Sequence, residues 1–122
     1  VVSATGNNFV KTMLRLAADR DELRVVADQQ GRPTSAQDIA QMLATITAQV
    51  IKGQGQFGTF HFANSGDTNW ADFARTIFEI SQQRGGPSAR VTSITTASYG
   101  IAARPWREAI NDILSILIPQ GA

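Results

Sequence analysis

Leu23-Arg24-Val25-Val26-Ala27-Asp28-Gln29-Gln30-Gly31-Arg32-Pro33-Thr34-Ser35 is the stretch on which the fold turns. Leu23 to Ala27 reads as a short, β-branched strand. Gly31-Arg32-Pro33 reads as a turn, with Pro33 restricting Arg32 to extended geometry. Ser35 is placed to cap a helix, and Asp38 three residues on gives a weak form of the capping box. Ile39, Leu43, Ile46, Val50 and Ile51 then fall on one stripe, and Gly53 supplies the stop. Strand, loop and helix in this order form the unit of an α/β fold. The loop between them is where open α/β sheets usually meet a ligand.

Upstream, Asn7-Asn8 precede Phe9, Val10, Met13, Leu14 and Ala17, a spacing that predicts a helix entered through an Asn cap. Downstream, Thr59-Phe60-His61-Phe62-Ala63 alternates like a half-buried strand and is ended by Asn64-Ser65-Gly66-Asp67. Thr68 is placed to cap a helix carrying Trp70, Phe73, Ala74, Ile77 and Phe78 on one face, and Gly85-Gly86-Pro87 closes it. Arg90 to Ile94 reads as a third strand. Pro105 opens a last helix whose Trp106, Ala109, Ile110, Ile113, Leu114 and Leu117 share a side. The expectation is an α/β layer of few short strands and several helices, too thin to stand comfortably alone.

At 122 residues the chain has the size of one ordinary domain, and its 43% hydrophobic content is that of a globular protein. Eleven basic against ten acidic side chains leave a net charge of +1. A balance that flat predicts no nucleic-acid or anionic-membrane partner through long-range attraction. Nine of the eleven basic residues are Arg, whose forks suit local anion binding. With no Cys, a disulfide scaffold and a thiolate metal site are excluded. No apolar run is long enough to span a membrane, and Val1-Val2-Ser3-Ala4 has none of the features of a signal peptide. The absence of an initiator Met reads as a chain cut from something longer.

The sequence offers little intrinsic catalysis. Gly53-Gln54-Gly55-Gln56-Phe57-Gly58 matches G-x-G-x-x-G, but it follows a helix and leads into a strand, the inverse of a dinucleotide site. His61 is the only histidine, and no second His or Cys exists to build a zinc site with it. The serines lack the nucleophile-elbow pattern, and Asp19, Asp21 and Glu22 sit in a polar break with no apolar shelter. What remains suits binding. Asn7 and Asn8 open a helix, where capping and anion binding both stay open as readings. Asp28 to Thr34 occupies the strand-to-helix loop, as an ordinary turn or as a ligand contact.

These same loops resemble a known family. Gly6-Asn7-Asn8-Phe9-Val10-Lys11-Thr12-Met13-Leu14-Arg15-Leu16-Ala17 and Leu23 to Thr34 are similar to dTDP-4-dehydrorhamnose reductases, extended short-chain dehydrogenases. Gly58-Thr59-Phe60-His61-Phe62-Ala63-Asn64-Ser65-Gly66 and Trp70-Ala71-Asp72-Phe73-Ala74 continue the likeness in order. The resemblance covers nearly the whole chain and corresponds to the C-terminal, substrate-binding portion of a Rossmann-type fold. It implies reduction of dTDP-4-dehydro-L-rhamnose to dTDP-L-rhamnose with NADPH, by a cytoplasmic enzyme that forms a homodimer. Residues 1–122 would then be the sugar-nucleotide-binding portion, lacking the NADPH-binding Rossmann portion. The family's Tyr-x-x-x-Lys is not found: Tyr99 is the only tyrosine, and Ala103 stands where its Lys would fall. A further family segment is missing between Tyr99 and Gly100, after which Trp106-Arg107-Glu108-Ala109 is similar to the family's last helix.

By the same resemblance, Asn7, Asn8 and Phe9 would help hold the nucleotide diphosphate, and Asp28, Gln29, Pro33 and Thr34 would shape the nucleotide-sugar side of the cleft. No residue of this chain is expected to be catalytic or to bind cofactor. Some family members dimerise through Mg2+ held by carboxylates. One such position corresponds here to Gln37, which argues against a metal. A second reading is a non-catalytic binding protein of the same fold, similar to the regulatory subunit of methionine adenosyltransferase.

Overall fold

The computed structural model describes residues 1–99 and 104–119. In chain order it contains α1 (Phe9–Asp19), β1 (Glu22–Val26), β2 (Gln30–Gly31), α2 (Ala36–Ile51), β3 (Thr68–Asn69), α3 (Trp70–Gln83), β4 (Arg90–Ile94), a 3-10 turn (Thr96–Tyr99) and α4 (Trp106–Leu117). The expected chain junction after Tyr99 lies at residues outside those described.

β1 and β4 run parallel, with Leu23 opposite Val91 and Val26 opposite Ile94. Parallel neighbours need a long crossover, and here it contains α2 and α3. Along β1 the burial alternates: Leu23 and Val25 turn inward while Glu22 and Arg24 face water. α1 and α3 cover the inward face. Met13 and Ala17 from α1 meet Ala71, Ala74 and Phe78 from α3, and together with Leu23 and Val25 they form the core. Ala71 and Ala74 are wholly buried, and their small side chains let the α3 backbone lie close to the layer beneath. On the outer face the Glu22 carboxylate accepts from Arg90 Nη2 and Thr92 Oγ1, both at 2.6 Å, which fixes the register across the pair.

The helix starts follow their caps. Asn8 Oδ1 accepts the Lys11 N–H at 3.3 Å to open α1, and Ser35 Oγ accepts the Asp38 N–H at 3.3 Å to open α2. Gly53, at φ +73, takes the left-handed conformation that ends α2. For α3 the cap is Asn69, not Thr68. Asn69 Oδ1 accepts the Asp72 N–H at 2.9 Å, while Thr68 is taken up in β3, antiparallel to β2. Both residues pair with β2, but α3 begins at Trp70, so Thr68 stands one residue too early to reach the first turn.

Thr59–Ala63 is the main correction: it forms no strand among the described residues. Alternation marks a segment fit for a sheet, yet a strand needs a neighbour's backbone, and none lies beside it. Phe60 accordingly stands 67% exposed. The apolar stripe of α2 is likewise uncovered, with Ile51 80% exposed, and so is that of α4. Trp106 is largely exposed, with the Arg107 guanidinium 4.9 Å over its ring. The molecule thus has one closed half and one open half. Removing Phe78 (2% exposed) should cost about 3 kcal/mol or more as Phe78→Ala, whereas Ile51→Ala should change stability by less than ~0.5 kcal/mol. Denaturant unfolding of the two variants measures both values.

Candidate substrate cleft

The loop from β1 to α2 is held at three points by residues far apart in sequence. Thr34 is 6% exposed, and its Oγ1 donates to the Arg32 carbonyl at 3.0 Å and accepts the Asn64 N–H at 3.2 Å. Asn64 reaches back: its Oδ1 accepts the Ser35 N–H at 2.8 Å, and its Nδ2 donates to Asp38 Oδ2 at 2.8 Å. The first residues of the chain close the knot. The Val2 N–H donates to the Thr34 carbonyl and the Ala36 N–H to the Val2 carbonyl, each at 2.9 Å. A second tie, the Arg32–Asp67 ion pair, joins the loop to the approach of β3.

Pinned this way, the loop forms one wall of a cavity of about 310 Å³. Its floor is aromatic. The Phe9 ring lies 4.7 Å from Trp70, tilted, and 5.2 Å from Phe73, edge to face. Neighbouring aromatic quadrupoles favour such arrangements over a face-to-face sandwich. Trp70 keeps 42% of its surface exposed although it lies on the core side of α3's apolar face. Gln29, Gln30, Asn69 and Arg32 are the larger polar residues that line the cavity beside this floor. An apolar base with a few convergent polar groups is the usual make-up of a small-molecule site.

The residues that the sequence singles out are distributed unevenly about this cavity. Phe9, Gln29 and Pro33 line it, and Thr34 stands behind the wall. Asn8 spends its amide on α1, donating through Nδ2 to the Ser3 carbonyl at 2.7 Å besides accepting at the cap. Asn7 is exposed one residue earlier. Asp28 points to the segment after β4, where its carboxylate accepts the Thr96 N–H at 3.0 Å and Thr96 Oγ1 at 2.9 Å. Asn64 and Asp67 carry much of the geometry, but the sequence marks them only as strand-end residues. Their partners are about thirty residues away, beyond the reach of any local pattern. Arg32 and Trp70 were legible as a turn residue and a core residue respectively, not as the cleft wall.

Two other chemistries find no support in these residues. The glycine run does not fit a dinucleotide: it lies after the end of α2 rather than at a helix N-terminus. Gly55 has a packing reason of its own, since a Cβ there would stand 2.5 Å from Val50 Cγ2. Gln37 is exposed, and among the described residues no group of three His, Cys, Asp or Glu side chains could hold a metal ion. Among those residues, too, no helix is long and apolar enough to cross a membrane.

A mixed α/β layer with a cleft on its strand-to-helix loop has the make-up of a ligand-binding module. Comparison with known proteins gives the family: the model described as RmlD substrate binding domain matches residues 1–116, and the chain belongs to that family. It is 43% identical over 106 residues to a dTDP-4-dehydrorhamnose reductase of Sinorhizobium fredii, covering 85% of this chain and 36% of that protein. It is 47% identical over 110 residues to one from Aggregatibacter actinomycetemcomitans, covering 87% and 37%. The chain therefore spans a little over a third of these relatives. Among solved structures, it is similar to the Bacillus anthracis dTDP-4-dehydrorhamnose reductase in complex with NADP, with TM-score 0.68 and 36% identity, over 85% of this chain and 34% of that one. A Clostridium acetobutylicum orthologue gives 0.67 and 31%, over 94% and 47%. The α/β class read from the sequence, part of a Rossmann-type fold, is the one these neighbours share.

The hydrogen bonds from Thr96, backbone first and hydroxyl second, hold the Asp28 carboxyl below its ordinary 3.8. Folding therefore favours the ionised form. That contribution is complete above 3.8 and is lost as pH falls through the lower folded value. Thr96→Val removes the hydroxyl donor and should move the Asp28 midpoint upward, toward 3.8, in a carboxyl NMR titration.

Proposed function

We propose that this chain forms the sugar-nucleotide wall of an NADPH-dependent dTDP-4-dehydrorhamnose reductase. One observation carries the reading: the cleft with its aromatic floor lies at the β1–α2 loop, where Phe9, Gln29 and Pro33 come together. The family likeness supports it, because relatives of that name share the chain at 43% and 47% identity. The Phe9–Trp70–Phe73 floor takes the flat, less polar faces of base or sugar, and the amide of Gln29 orients their polar edges. Thr34 keeps the wall in place. Asn7 and Asn8, at the start of α1, lie on the diphosphate side, and Asp28 fixes the loop from behind.

NADPH, when bound to the whole enzyme, supplies a hydride to the substrate's carbonyl carbon. The relatives extend well beyond the span of this chain, and the portion outside it is assigned to hold that cofactor and to deliver the proton. The part of this chain is to bind, orient and exclude water. Such positioning converts an encounter into a near-attack geometry and is itself a large share of many rate enhancements.

The full-length protein should consume NADPH when given dTDP-4-dehydro-L-rhamnose, followed by loss of the cofactor's absorbance. No turnover with that substrate, in a preparation that binds NADPH, would contradict the assignment. Trp70→Ala should raise KM about tenfold while changing kcat much less, the pattern of lost uniform binding.

A further inference from the structure

Arg32 is the one charged side chain among the residues lining the cleft. Its Nε donates to Asp67 Oδ1, and among the described residues nothing meets its two terminal amino groups. A guanidinium carries five N–H donors, so four remain for an incoming acceptor. Its side chain is 54% exposed and Asp67 63%, which puts the pair at the solvent edge of the cavity. An exposed pair of this kind is worth about 0–1 kcal/mol, too little to keep the cation from a more highly charged partner. The other side chains around the cavity are uncharged: aromatic, aliphatic, amide and the hydroxyl of Thr68. An anion that enters this cleft finds its side-chain countercharge at Arg32.

We propose that Arg32 clamps the diphosphate of the nucleotide sugar, with Asp67 holding the guanidinium through Nε so that its terminal nitrogens stay available. The identity of the ligand rests on the reading given under Proposed function; the anion site itself does not. Planar, bidentate recognition of phosphate oxygens is what the fork geometry favours over an ammonium. Pro33, which follows directly, restricts the Arg32 backbone to extended geometry and limits its freedom before binding.

Calorimetric titration of the full-length protein with dTDP, thymidine and inorganic pyrophosphate tests this. Arg32→Ala should weaken dTDP and pyrophosphate by about tenfold or more while leaving thymidine within about twofold. Arg32→Lys should lose less, because charge is kept and only the fork is removed. Thermal unfolding of both variants runs alongside, and should Arg32→Ala fail to fold, the lysine variant decides by the same contrast between dTDP and thymidine. Equal losses for thymidine and dTDP would make Arg32 a structural tie and overturn the proposal. So would unchanged dTDP affinity, or a wild-type protein that binds neither dTDP nor pyrophosphate. Pyrophosphate binding that depends on Arg32, without dTDP binding, would keep the clamp and sink the nucleotide-sugar reading instead.

Discussion

The buried hydroxyl of Thr34 is the constraint on which the cleft depends. It donates to the Arg32 carbonyl and accepts the Asn64 N–H, so one oxygen joins the β1–α2 loop to the segment that leads into β3. The Asn64 amide repeats the join with Ser35 and Asp38. Without these bonds, two loops of opposite origin would each lose a fixed backbone, and buried polar atoms would be left unpaired at a cost of about 1–3 kcal/mol apiece. With them, the loop is tied at several points to the segment before β3. Those ties place Gln29, Arg32 and Pro33 in the wall of the cavity, and positioned groups bind without first being ordered.

The closed half of the molecule supports this arrangement from below. α1 and α3 pack over the β1–β4 pair, and Phe9 and Trp70, each the first residue of its helix, meet above that core to form the floor. The floor is therefore a continuation of the core. The open half is different: the stripes of α2 and α4 and the phenylalanines of residues 57–62 remain in water. Stability is unevenly spread in consequence. Local opening should start at α2 and α4, where few apolar contacts oppose it, and should reach β1 and α3 last.

Local signals made much of this legible. Asn8 before Phe9 and Ser35 before Ala36 are caps that work through a side-chain oxygen and an N–H three residues on, so a short window suffices to find them. The β-branched runs of β1 and β4 and the 3.6-residue spacing of Ala74 and Phe78 are equally local. The failures fall where a partner decides the outcome. Phe60 and Phe62 alternate as a strand would, but pairing is a property of two segments. Thr68 and Asn69 are both good caps, and the start of α3 at Trp70, which follows Asn69 directly, chooses between them. The Arg32–Asp67 and Thr34–Asn64 contacts join residues about thirty apart, and no composition or spacing announces them. Family likeness located the loop; geometry showed which of its side chains face the cleft and which, like Asp28, hold it from outside.

The central claim is that the sugar nucleotide binds against this chain and the cofactor elsewhere. Backbone-amide shift mapping on the full-length protein, titrated separately with dTDP and with NADPH, tests it most directly. The account predicts that dTDP moves the amides of Phe9, Gln29 to Thr34 and Asn69 to Phe73, while saturating NADPH leaves most of them in place. A dTDP titration that spares these residues and shifts others, or an NADPH footprint centred on the same loop, would contradict it.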